Sequence, residues 1–298
     1  MTDWATFAVV TVALTLLLLY FTRRSRRTLD RVRIVDDASE YTADSDHGSA
    51  DCDTLIGDDA SVDRDAPADY DTPADYDTPA DHDTAPEEAP RDPTARSEPA
   101  LTTTLLLANV TVSQAIALAV LVAVAWWTAV PASAFGLGGV SAPFVLGWGV
   151  AAGVALYAGN EVAAGLGARV GATAPERLRE AMAPTNTREW LFLLLVVLPT
   201  IALFEEALFR GALIGAFAVG FGIDPWLLAV VSSFAFGLGH GAQGRLGIVV
   251  TGVLGLGLAA LFVYTGSLLV VVVAHYVVNA LEFIVREWFA YDPAAALR

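Results

Sequence analysis

The hydrophobic and polar positions fall into long blocks rather than short alternations. An apolar run, Trp4 to Phe21, is followed by a polar stretch that reaches about residue 99. From Leu101 onward apolar runs recur to the C-terminal end, broken by short Gly-, Pro- or Arg-bearing segments. Runs of about 20 apolar residues have the length that crosses a bilayer as helix. The pattern predicts helices at about 4–21, 103–130, 143–163, 188–221, 225–240, 246–264 and 267–288. The 188–221 segment exceeds one simple span, and Pro199 inside it predicts a kink, so the count is seven or eight. The expected fold class is all-α: a polytopic transmembrane helix bundle with a disordered acidic linker.

Three regions follow from this pattern. Residues 1–33 read as an N-terminal transmembrane anchor with a basic flank at Arg23, Arg24, Arg26, Arg27, Arg31 and Arg33. No positive region precedes the first apolar run, so it reads as an anchor rather than a signal peptide, with its C-terminal end in the cytoplasm. Residues 34–99 lack hydrophobic periodicity and carry a hexapeptide repeat, ADYDTP, ADYDTP, ADHDTA, from Ala68 to Ala85. Low hydrophobicity with high charge predicts disorder. Residues 100–298 read as the membrane bundle. Arg169, Arg177, Arg179 and Arg188, and later Arg245 and Arg286, fall on the cytoplasmic side of the expected topology. A multi-pass protein of the cell membrane, in contact with lipid, is the result.

Charge refines the picture. The net charge of −16 is concentrated in residues 1–99, which hold 23 acidic and nine basic residues, whereas the membrane body is nearly neutral. All 17 basic residues are Arg, a composition that resembles proteins of salt-loving organisms. The acidity excludes a nucleic-acid partner, which needs a basic footprint. The single Cys52 permits neither an internal disulfide nor a Cys-rich metal motif. His47 and His82 lie in the acidic stretch and read as solvated.

Against this apolar background, Glu205, Glu206 and Arg210 stand out inside the run from Leu191 to Phe221. Each charge costs about 2.5–3.5 kcal/mol near the bilayer centre on the insertion scale, so an intramembrane cluster marks a functional site. Glu206 and Arg210 are four apart, share a helix face and form an ionic strut. Glu205 points about 100° away and has no local partner, which suits a general base. Two further helices carry His240, and His275 with Asn279 one turn later. Glu205 can take a proton from water, His240 can orient that water, and His275 with Asn279 can polarise a carbonyl and hold an oxyanion. Alternatively, Glu205, His240 and His275 bind a divalent metal such as zinc that activates the water, although no H-E-x-x-H motif is present.

The three motifs read Glu205-Glu206-Ala207-Leu208-Phe209-Arg210, Phe236-Gly237-Leu238-Gly239-His240 and His275-Tyr276-Val277-Val278-Asn279. Over about 190–290 they resemble the CPBP family of intramembrane proteases. That family includes the type II CAAX prenyl endopeptidases and the Abi and lysostaphin-resistance-protein-A-like immunity proteins. The resemblance implies that Glu205 with His240 activates water, that His275 and Asn279 stabilise the oxyanion, and that Glu206 and Arg210 support the site. It implies cleavage of a peptide bond in a membrane-associated substrate, of which a prenylated CAAX-type peptide is one form, at a site open to the cytoplasm. It leaves both the metal-dependent and the metal-free mechanism open. Two other functions compete: a non-catalytic scaffold or immunity protein of the same fold, and an ion-coupled transporter. The unpaired Glu205 argues against the first. The second lacks paired interrupted helices in matching halves.

Overall fold

The structure is a computed structural model that describes residues 1–45, 103–169 and 177–293. The chain divides into two units, residues 1–33 with 101–298, and residues 34–100. Eight helices carry the described residues: α1 (Trp4–Ser45), α2 (Thr103–Trp127), α3 (Ala142–Arg169), α4 (Arg177–Ala181), α5 (Thr187–Phe221), α6 (Pro225–Gly239), α7 (Gly244–Thr265) and α8 (Leu268–Trp288). Six are long and apolar enough to cross a membrane, the stretch Trp4–Arg24 serving for α1. With the shorter apolar α6 this makes seven membrane-type helices, and the protein is a multi-pass membrane protein. The acidic linker expected at 34–99, with its hexapeptide repeat, Cys52, His47 and His82, lies outside the described residues beyond Ser45. Before that point, residues 34–45 continue α1.

Local chemistry places the helix ends. The Asp3 carboxylate accepts from the Thr6 amide at 3.0 Å at the start of α1. Asn186 accepts from the amides of Arg188 and Glu189 at the start of α5, and Asp224 from those of Trp226 and Leu227 at the start of α6. Each cap satisfies amides that a first helical turn leaves without partners. Pro225 follows Asp224 at the position where a missing amide costs nothing.

The bundle is closed at one end by backbone contacts. Asp3 donates its amide to the Thr128 carbonyl at 2.9 Å, and the Thr2 hydroxyl donates to the Ala129 carbonyl at 3.1 Å. The first helix is thus fastened to the end of the second. Nearby, the Leu268 amide donates to the Gly136 carbonyl at 3.1 Å. Gly136 has a φ of +75°, and a Cβ there would meet Phe262 at 2.8 Å and the Gly266 carbonyl at 2.9 Å, so only glycine fits. Exposed Trp126, Trp127, Trp226 and Tyr264 belong to helix ends on this side, as interfacial aromatic anchors do.

The opposite end is held by charge. Arg286 of α8 donates to both carboxylate oxygens of Glu161 of α3, at 3.3 and 2.8 Å. Arg179 of α4 pairs with Glu287 and, at 3.9 Å, with Glu282. Glu161, to which the sequence assigns no chemistry, is therefore a structural anchor between α3 and α8.

Without a hydrophobic drive between helices in lipid, close packing decides their arrangement. Gly149 and Gly153 lie four apart on α3, and a Cβ at either would meet α8 at 2.6 or 2.7 Å. The backbones of α3 and α8 touch there, beside Ala274, the neighbour of His275. Gly237 brings α6 equally close to α7, its absent Cβ falling 2.6 Å from the Ile248 carbonyl.

Two helices are shaped unusually. Helix α5 continues through Pro199, with a wide i→i+5 turn at Leu193–Val197 just before it and a second at Ala207–Ala216. A proline ring displaces the carbonyl four residues earlier, which accounts for the first. The second begins immediately after the two glutamates, and such turns gather at functional sites. Helix α6 has 15 residues, a rise of about 22 Å against a hydrocarbon layer of about 30 Å. It ends at Gly239, with His240 at its C-cap.

Candidate active site

The site is assembled around the carboxylate of Glu206. Glu206 and Arg210 are both fully buried. Arg210 Nη1 donates to Glu206 Oε1 at 2.8 Å, which is the expected strut, and Arg210 Nη2 donates to the Gly255 carbonyl at 2.7 Å. Placing two charges in a low-dielectric interior is tolerable only when each is paired and hydrogen-bonded. Glu206 Oε1 also accepts from His275 Nδ1 at 2.6 Å. The strut therefore does more than the sequence implies: it joins α5 to α8 and orients an imidazole.

That orientation determines what faces Glu205. His275 is buried, and its Nε2 lies 3.8 Å from Glu205 Oε2. The separation is too long for a direct hydrogen bond, while one small oxygen can sit within bonding distance of both atoms. Glu205 Oε2 is buried without a hydrogen-bond partner in the protein. A buried carboxylate oxygen left this way calls for an explanation, and a reacting molecule at that position supplies one. Asn279 follows His275 by one turn on the same face of α8 and is half-buried.

His240 enters from α6. Its Nδ1 lies 2.9 Å from the Phe236 carbonyl. A carbonyl only accepts, so Nδ1 carries the proton and Nε2 of the neutral ring is an acceptor. The Phe236 ring contacts both histidines. Its centroid is 4.6 Å from that of His240 and 6.1 Å, edge-on, from that of His275. The same ring packs edge-on against Phe209 at 5.0 Å and carries the Arg210 guanidinium at 4.6 Å. Ser232, also on α6, donates its hydroxyl to the Phe209 carbonyl at 2.6 Å, inside the wide turn of α5. That bond ties α6 to the backbone next to Arg210.

All six residues singled out in the sequence thus lie on the three helices that meet here. Glu205, Glu206, Arg210 and His275 form one cluster, His240 joins it through Phe236, and Asn279 stands one turn beyond His275. Among the described residues, no three His, Cys, Asp or Glu side chains are grouped as metal ligands. Glu205 and His275 approach to 3.8 Å, and His240 is not grouped with them as a third ligand. The sequence reading missed two participants. Phe236 has a place in the second motif but no role there, and nothing in its apolar character discloses that it contacts two imidazoles. Gly255 reads only as a small packing residue, because a backbone carbonyl leaves no trace in a residue type.

Comparison with known proteins adds one finding. Residues 187–281 match the model of a family described as Type II CAAX prenyl endopeptidase Rce1-like. The matched segment contains every residue of the cluster. No curated protein and no solved structure matches the chain.

Proposed function

Taking as premise that residues 187–281 belong to the type II CAAX prenyl endopeptidase Rce1-like family, we propose that the protein is an intramembrane endopeptidase. It hydrolyses a peptide bond of a membrane-associated substrate with water activated by Glu205. The observation that carries this reading is the placement of Glu205 Oε2, buried and without a protein partner, 3.8 Å from His275 Nε2.

The geometry supports a water-activation chemistry. A water held by Glu205 gives up a proton to that carboxylate as its oxygen attacks the scissile carbonyl carbon. His240 accepts at Nε2, because Nδ1 is committed to the Phe236 carbonyl, and so orients the same water. Negative charge then develops on the former carbonyl oxygen. The Asn279 amide is a donor on that side, and His275 becomes a second one only when its ring carries a proton on both nitrogens. Glu206 holds His275 through Nδ1, and Arg210 holds Glu206. When the tetrahedral intermediate collapses, the C–N bond breaks and the proton on Glu205 passes to the leaving amine. Preorganised donors in a water-poor site give such a mechanism most of its rate.

The family match and the membrane setting support a peptide held at the membrane as the substrate, with a prenylated CAAX-type C-terminus as the first choice. The direct test uses the full-length protein in detergent micelles with a quenched fluorescent farnesylated peptide. Cleavage by the wild-type chain and none by Glu205→Gln supports the reading. Equal cleavage by both removes Glu205 as the base.

A further inference from the structure

Helix α7 contributes no side chain to the cluster, yet its backbone reaches into it. Gly255 accepts from Arg210 Nη2 at 2.7 Å through its carbonyl. A Cβ at Gly255 would stand 2.9 Å from Phe236 Cδ1 and 3.3 Å from Arg210 Nη2. The first distance is shorter than real side chains allow. The atom in the way is not the free end of a flexible chain. Phe236 is wedged by Phe209, Arg210, His240 and His275, with ring or guanidinium contacts of 4.6–6.1 Å. The ring cannot retreat without moving an imidazole or the guanidinium.

The other glycines of this stretch differ. A Cβ at Gly252 would meet nothing nearer than the Ser233 carbonyl at 3.8 Å, and one at Gly257 would meet only the tip of Leu156 at 2.7 Å. Gly255 alone of these three faces the site. Its missing side chain lets the Phe236 ring lie flat beneath Arg210, while its carbonyl fixes the far side of the guanidinium.

We infer that Gly255 is a positioning residue for the reaction: it sets the Arg210–Phe236 pair, and through that pair the placement of His240, Glu206 and His275. The inference rests on the endopeptidase reading for its catalytic consequence, but not for its geometry. Gly255→Ala therefore lowers kcat by about tenfold or more with KM within about twofold, because the loss falls on transition-state alignment rather than on substrate binding. Gly252→Ala stays at the wild-type rate.

A double-mutant cycle separates this from a general packing defect. In a Phe236→Leu background the ring is gone, and adding Gly255→Ala costs less than about twofold if the inference holds. Wild-type kinetics for Gly255→Ala, or the same fold-loss in both backgrounds, overturns it. A second readout needs no activity: carbethoxylation of His275 by diethyl pyrocarbonate, followed by mass spectrometry. Gly255→Ala raises the rate at His275 by about fivefold or more, since the edge-on contact of the Phe236 ring with the imidazole is lost, while Gly252→Ala leaves it unchanged. An unchanged rate in Gly255→Ala overturns the inference. If the wild-type chain cleaves no peptide, the endopeptidase reading fails and the modification rates alone decide the positioning role. If Gly255→Ala does not fold, a folded Gly255→Ala, Phe236→Leu double variant supports the inference, and a double variant that also fails to fold overturns it.

Discussion

Glu206 and His275, 69 positions apart in the chain, meet at 2.6 Å between α5 and α8. One carboxylate oxygen of Glu206 receives both the imidazole and the Arg210 guanidinium. This shared oxygen makes the stability of the bundle and the geometry of the site a single problem.

Neutralising Glu206 while keeping its shape isolates that coupling. Glu206→Gln leaves Arg210 as an uncompensated buried charge, which costs about 3–5 kcal/mol. Combining it with Arg210→Met removes both charges and is less damaging than Glu206→Gln alone. Thermal unfolding of the purified variants in detergent checks the order. A double variant no more stable than Glu206→Gln would show that the charge pair is not the unit.

Glu205 behaves differently because it holds neither Arg210 nor an imidazole by a hydrogen bond, as Glu206 does through Oε1. Glu205→Gln is expected to fold with a melting temperature near that of the wild type and to lose about 10²–10⁴-fold in kcat. Calorimetry and peptide cleavage on one preparation give both quantities. A large loss of stability would assign Glu205 a structural role instead.

The two histidines also separate by this criterion. His275→Ala removes a buried partner of Glu206 and lowers stability by about 1–3 kcal/mol together with activity. His240→Ala ends a helix at a half-buried position and lowers activity with a smaller change in stability. The comparison of melting shift against kcat for the pair is the measurement.

The Glu161–Arg286 pair lies away from the reacting groups. Arg286→Gln is expected to lower stability by about 1–3 kcal/mol and to leave kcat unchanged. An effect on kcat without one on melting would place this end of the bundle in the catalytic cycle.

Metal removal addresses the alternative that the residue types leave open. The proposed mechanism needs none, so activity is expected to survive dialysis against a chelator. Loss on chelation with recovery on adding zinc would reassign the water's activation to a metal.

Much of the fold was legible because lipid imposes a simple rule. Backbone polar groups must be satisfied within each span, so apolar length alone marks the helices. The observed α2, α5, α6, α7 and α8 follow the expected segments closely, while α3 runs on to Arg169, past its expected end at about 163. The charged cluster was legible for the same reason: Glu205, Glu206 and Arg210 are costly where they stand and have to serve a purpose. The i,i+4 relation of Glu206 and Arg210 needed only helix geometry.

What remained hidden involves contacts between helices and bonds made by backbone. That Glu206, rather than Glu205, holds His275 depends on how α5 and α8 are turned toward each other. A wide turn in α5 and the Gly149–Gly153 face of α3 bear on that rotation. No local pattern encodes it, since wide turns have no composition and glycines mark close approach without naming the partner. The sequence by itself determined the membrane class, the helices and the residue types able to do hydrolysis, because those rest on transfer energies and chemical identity. Only the tertiary structure decided that Glu206, beyond its strut with Arg210, also holds His275, and that Glu205 stands 3.8 Å from the other nitrogen of that ring, because those contacts depend on angles between packed helices, set by many small contacts acting together.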